Sequence, residues 1–290
     1  MLRYGFLLGL LAAVHAGMAV AQDTPVQITM GDKRDVDPLV SPDGKHLAFA
    51  SDRTGSYNIF LLTFGKAGVV QLTQSKKDDR HPSWTPDSKT LLFNSKRTGA
   101  GDLYEMAYDG SSGFLQLTDR PDIERYACSA PRGAGILFAT CPKKTIQFKN
   151  KMDIVSAEDR GAANQARRLG EGDEPRFSPY GSKIVFISKR TKNWDVWIMN
   201  ADGGLQTQLT TDRKDDENPC FSPDGKQIVF ASNRTGNYEL WVMGVDGSNQ
   251  RQLTSDPADN TQPCWSVGGY LYYTKASSNT QSTIWRIKAP

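Results

Sequence analysis

Apolar and polar positions alternate along this chain in short runs bounded by Gly, Pro, Asn and Asp, and no amphipathic run reaches helix length. That is the pattern of short strands joined by turns. The runs also recur. "SPDGKHLAFASDRTGSYNIFLL" starts at Ser41, "TPDSKTLLFNSKRTGAGDLYEM" at Thr85, "SPYGSKIVFISKRTKNWDVWIM" at Ser178 and "SPDGKQIVFASNRTGNYELWVM" at Ser222. Two worn copies, "APRGAGILFAT" at Ala130 and "SVGGYLYYTK" at Ser266, complete the set. The second residue of each copy falls at 42, 86, 131, 179, 223 and 267, giving spacings of 44, 45, 48, 44 and 44. Chance similarity does not hold register five times, so the chain is read as six repeats.

Each repeat divides into four strands. In the fifth, Pro219 to Phe221 enters as strand a, and Ser-Pro-Asp-Gly turns the chain. Lys226 to Ser232 is strand b, Tyr238 to Met243 strand c and Arg251 to Thr254 strand d. Four-stranded units of about 40–45 residues predict propeller blades, so the fold class is all-β, a six-bladed β-propeller. Proline opening strand a fits an innermost edge, where a missing N–H is tolerated. Aromatic residues recur in register. Trp84, Phe177, Phe221 and Trp265 share a position of strand a, and Phe60, Tyr104, Trp197, Trp241 and Trp285 one of strand c. Phe49, Phe93, Phe138, Phe186, Phe230 and Tyr272 are assigned to one position of strand b. These rows are read as layers between blades.

The two ends of the chain complete each other. Thr73, Thr210 and Thr254 each precede the Pro of the next strand a by nine residues, and Thr29 precedes Pro38 by the same nine. The last repeat ends on a strand c, Thr283 to Ile287, with no strand d. Val26 to Thr29 is therefore expected to be that strand, closing the ring and removing an open seam.

Bulk features narrow the function. Arg3, the uncharged apolar run Phe6 to Ala19 and the Ala19-Val20-Ala21 site read as a cleaved signal peptide over 1–21. The remaining 22–290 is read as one propeller domain, exported and monomeric, with no membrane span after cleavage. Without Arg3 the charges are 34 basic against 32 acidic, which argues against a nucleic-acid binder. Cys128, Cys141, Cys220 and Cys264 include no C-x-x-C. Three of them follow the Pro position of strand a, and equivalent residues point the same way around a ring, so three buried free thiols are expected, with no Cys220–Cys264 bridge.

The S-P-D-G-K, F-x-S-x-R-x-G, L-W and Q-L-T elements resemble the WD40-like PD40 repeats of TolB-type β-propellers. The resemblance covers the whole chain after the leader. It implies six blades, a bacterial periplasmic location and a non-catalytic protein-binding module, with an envelope protein such as a peptidoglycan-associated lipoprotein as partner. Full-length TolB proteins add an N-terminal α/β domain and arm. Here only Gln22 to Pro25 precede the closing strand, so function is expected to rest on the propeller alone. Similar repeats occur in prolyl-oligopeptidase-type peptidases and in oligogalacturonate lyase.

Strand parity places the b–c and d–a loops on one face, where the variable chemistry lies. Asp35, Asp79, Glu124 and Asp216 stand three residues before the strand-a Pro position, with Asn260 in the last repeat and Asp173 one residue nearer in the fourth. This acidic set is expected around the mouth of the central channel. It would either hold Ca²⁺ or a basic partner, or pair with local arginines; no other cofactor is expected. Arg53, Arg97, Arg190 and Arg234 repeat in the b–c turn and read as a structural clamp. The third repeat carries a longer b–c loop with Lys143, Lys144, Phe148, Lys149 and Lys151. Together with Tyr57, Trp194 and Tyr238 at matching b–c positions, these residues are the candidate partner site. An enzyme reading has less to work with. After the leader only His46 and His81 remain, and there is no G-x-S-x-G. The alternative kept is a carbohydrate- or small-molecule-acting propeller using carboxylates or a metal at the channel mouth.

Overall fold

The computed structural model describes residues 24–142 and 151–290. Residues 1–23, which include the expected signal peptide, and the segment 143–150 with Lys143, Lys144, Phe148 and Lys149, lie outside the described residues. Six four-stranded antiparallel sheets form six blades. Their innermost strands are Asp35–Val40, Asp79–Trp84, Asp122–Ser129, Asp173–Phe177, Asp216–Phe221 and Asp259–Trp265. Six clusters of buried apolar side chains fill the space between neighbouring blades, one to each interface. Each blade buries both faces, which is why its strands b and c read as nearly continuous apolar runs.

The sixth blade is made from both ends of the chain. Val26–Gln27 pairs antiparallel with Gln281–Lys288, Val26 opposite Arg286. Ile28 N–H donates to Ile284 C=O at 2.7 Å. The buried Thr29 hydroxyl accepts the Ile284 N–H at 2.9 Å. Thr73, Thr118, Thr210 and Thr254 accept the matching N–H of Ile59, Leu103, Val196 and Leu240 at 2.8–2.9 Å. The same side chain performs the same task at the seam as inside a continuous blade, so Val26 to Thr29 is the missing strand d.

Blade six also departs from the expected register. Tyr273, not Tyr272, is the equivalent of Phe230: Cys264 faces Tyr272 where Cys220 faces Val229. The preceding turn closes Ser266 N–H on Tyr270 C=O, one residue shorter than Ser222 on Gln227. A one-residue change sends every following side chain to the other face of the sheet. Tyr273 thus fills the interface with blade five, while Tyr272 fills the interface with blade one.

The cysteines are free thiols; Cys264 is buried as expected, but Cys128 and Cys220 are only partly buried. Cys264 is directed at the next blade, where its sulfur accepts the Val40 N–H at 3.3 Å.

Candidate functional site

A bulge in every strand a builds the channel. In blade one Val36 faces Ala50 and Leu39 faces Ala48, so Asp37 and Pro38 together oppose one residue. The same shift occurs in the other five blades. Such a bulge leaves a residue unpaired and re-aims its side chain. The residue before the Pro position is Asp37, His81, Tyr126, Glu174, Asn218 or Gln262, and all six have φ between 51° and 56°. Non-glycine residues pay about 1–3 kcal/mol each for such a conformation. Proline next to the bulge has no N–H to lose from the ladder.

These six side chains line a central cavity of about 30 Å³. They hold one another. Asp37 N–H donates to Gln262 Oε1 at 3.0 Å, His81 N–H to Asp37 Oδ2 at 3.3 Å, Asn218 N–H to Glu174 Oε2 at 2.7 Å and Gln262 N–H to Asn218 Oδ1 at 3.2 Å. The His81 ring lies against Tyr126, centroids 4.0 Å apart. Burial opposes charge throughout. It lowers the His81 pKa to about 4 and, helped by Asp173 and Glu217, raises that of Glu174 to about 8. Burial also works against the Asp37 carboxylate, but Arg80, 3.1 Å away, together with His81 holds the pKa below the usual value.

The acidic set lies elsewhere. Asp35, Asp79, Glu124, Asp173 and Asp216 are buried and are not among the residues lining the cavity. Strand alternation turns Asp35, Asp79, Glu124 and Asp216 away from the channel into their own blades. Asp35 is bonded to Arg53 at 2.7 Å, Asp79 to Arg97 at 2.8 Å and Asp216 to Arg234 at 2.9 Å. Each of these arginines also donates Nε to the Ser two residues earlier and lies over two or three aromatic rings of its blade. In blade four the acid position is taken by Gly172, where a Cβ would meet Phe186 Cδ2 at 2.5 Å. Arg190 therefore donates to the Glu171 carbonyl, and the displaced Asp173 binds Arg125 of blade three. Where the clamp arginine is missing, the acid is replaced or its pKa is raised. Blade six has Ser277 and Asn260 at these positions. Blade three has Pro142 and Glu124, whose closest cation among the described residues is Arg120 at 3.9 Å and whose pKa is raised by burial to about 7. Among the described residues no three His, Cys, Asp or Glu side chains stand together as metal ligands.

The candidate partner residues fall into separate groups. Tyr57 is half-buried, with the guanidinium groups of Arg34 and Arg80 at 5.1 and 4.6 Å from its ring centroid. Trp194 lies under Lys189, 4.6 Å away. Tyr238 on the next blade bonds Glu217, whose pKa burial and Asp215 raise to about 7. Trp194, Lys189, Glu217 and Tyr238 thus form one patch. Lys151 is exposed and pairs with Glu171 at 2.9 Å. Sequence reasoning missed what orients the aromatics: their N–H groups donate to Asp78, Asp215 and Asp259 of the following blade. It also missed the channel ring, whose one signal is a polar residue before each Pro position.

Comparison with known proteins agrees with this architecture. A TolB from Agrobacterium tumefaciens superposes with a TM-score of 0.68 at 18% identity, over 92% of this chain and 97% of that one. A TolB from Acinetobacter baumannii gives 0.67 at 18% identity, over 89% and 65%. A gluconolactonase from Xanthomonas campestris gives 0.69 at 13% identity, over 92% and 89%. A search of curated proteins finds no match. The family model for the TolB beta propeller domain matches residues 27–167 and 155–289. The chain therefore belongs to the TolB beta propeller domain family.

Proposed function

We propose that this protein is a non-catalytic binding propeller of the periplasm, which takes an envelope protein on the face bearing the b–c and d–a loops. The supporting observation is how the charges near the channel mouth are used. Asp37, Asp173, Arg80 and Arg125 are tied in internal pairs, which leaves them poorly placed for acid–base chemistry. Half-buried Tyr57, Trp194 and Tyr238 remain on that face beside Arg34, Lys189 and Glu217. Aromatic side chains flanked by charge are efficient interface anchors. Capture of partners from an envelope extract tests the reading. Changing Tyr57, Trp194 and Tyr238 to Ala together is expected to abolish capture. Changing Lys143, Lys144, Lys149 and Lys151 to Glu is expected to weaken it. Undiminished recovery by both variants would overturn the assignment of this face.

One observation favours a second reading. Glu174 and Glu217, on adjacent blades, have carboxyl pKa values raised to about 8 and about 7, and shifted acids in a cleft are candidates for acid–base roles. A sugar-acting enzyme is thereby kept as the alternative. Turnover of a sugar acid or lactone that disappears in Glu174→Gln would establish it.

A further inference from the structure

One crevice between blades is open where its counterparts are plugged. In blades four and five the plug is a glutamine. Gln206 and Gln250 stand two residues before Gln208 and Gln252, which pair with Trp197 and Trp241. Their Oε1 atoms accept from the clamp arginines Arg190 and Arg234 at 2.7 and 2.8 Å. Their Nε2 atoms donate to the Leu169 and Leu209 carbonyls of the preceding blade, each at 3.2 Å. Blade six lacks both parts of this plug. Pro25 holds the glutamine position, two residues before Gln27 opposite Trp285, and Ser277 holds that of the arginine. A pocket of about 500 Å³ opens there between blades five and six.

Its lining is of two kinds. Trp285, Leu253 and Ile287 supply apolar surface, and Ser255, Asp256 and Lys275 supply polar groups. Lys275 Nζ bonds Asp256 at 3.0 Å and lies 4.8 Å from the Trp285 ring centroid. The two charges cancel, so the pocket holds no excess charge for an ionic ligand. Lys275 keeps donors to spare, because an ammonium has three. Next to Asp256, Asn260 Oδ1 and the Tyr273 hydroxyl are buried with no partner among the described residues. We propose that this pocket binds a neutral pyranose sugar. Such a ring has a C–H face for the apolar wall and neighbouring hydroxyls that accept from Lys275 and donate to Asp256. A wholly apolar ligand would desolvate the ion pair without replacing its hydrogen bonds with water. Clefts of roughly 300–1,000 Å³ with apolar walls and a few placed polar groups are the usual small-molecule sites. The pocket shares no lining residue with the central channel and includes none of Tyr57, Trp194 and Tyr238, so its test is separate from that of the partner face.

Saturation-transfer NMR with glucose, galactose and N-acetylglucosamine provides that test. At least one sugar should receive saturation, most strongly at its ring C–H protons. Ser255→Trp, at an exposed position of the lining, should abolish the signal by filling the space. Trp285→Ala should weaken binding by about tenfold, while Arg132→Gln, at an exposed arginine of blade three, should leave it unchanged. No transfer to any of the three sugars, or equal transfer in Ser255→Trp, overturns the proposal. So does a crystal soaked in the sugar in which a second copy of the chain, or its own first residues, fill the pocket. If Trp285→Ala does not fold, Ser255→Trp decides.

Discussion

Blades five and three carry the same plan with one part exchanged. In blade five Arg234 crosses Phe230 and Trp241, bonds Ser232 and neutralises the buried Asp216. In blade three Pro142 stands at the arginine position, and among the described residues the buried Glu124 has Arg120 at 3.9 Å as its ion-pair partner. One blade keeps a buried carboxylate because a cation crosses it; the other keeps a carboxyl whose pKa burial has raised to about 7. The acid is thus part of the turn's architecture, and its charge state follows from its neighbour.

The largest effect tests the clamp itself. Arg234→Ala leaves Asp216 buried and unpaired, and is expected to cost about 3–5 kcal/mol in urea unfolding; a loss below 1 kcal/mol would show the clamp to be ornamental. Next comes its mirror image in blade three. The folded state holds the Glu124 proton up to about pH 7, whereas the unfolded chain releases it near 4.5. Stability must fall as pH rises through that window and level off above it. Glu124→Gln should therefore gain up to ~3 kcal/mol at pH 8 and nothing at pH 4.5. A variant less stable than the parent at pH 8 contradicts this account.

A smaller effect asks whether blade six, assembled from two ends, equals a continuous blade. Thr29→Ala and Thr73→Ala each strand one buried N–H, and each should cost about 1–3 kcal/mol. A much cheaper Thr29→Ala would mean a loose seam. The smallest change is expected at Tyr57→Ala, about 1 kcal/mol by thermal unfolding, for the loss of a half-buried ring between Arg34 and Arg80, while partner capture falls.

Features repeated letter for letter were legible from sequence. The blade count came from the Ser-Pro-Asp-Gly turns, and the closing strand from the nine-residue step between Thr29 and Pro38. The channel ring was not legible, because Asp37, His81, Tyr126, Glu174, Asn218 and Gln262 share a backbone conformation and no chemistry. A residue before proline ordinarily favours extended backbone, so the left-handed turn there runs against the local rule. The acidic set was read as a row either at the channel mouth or paired with local arginines. The residues that reach the channel are those of the bulge two positions later, and Asp35, Asp79 and Asp216 pair with Arg53, Arg97 and Arg234. Tyr272 was misplaced because one residue missing from a turn shifts parity without disturbing the apolar run.

The pairing of Val26 with Arg286 also governs the order of events in folding. Every other strand finds its partner within a few dozen residues, where loop closure is cheap. This pair spans almost the whole chain, and contacts of such long range are slow to form. The first strand to emerge must wait, unpaired, for the last one. Blades one to five can assemble as synthesis proceeds, and the ring becomes circular only when the final strand arrives, so the slowest kinetic phase should be the one sensitive to Ile28 and Thr29.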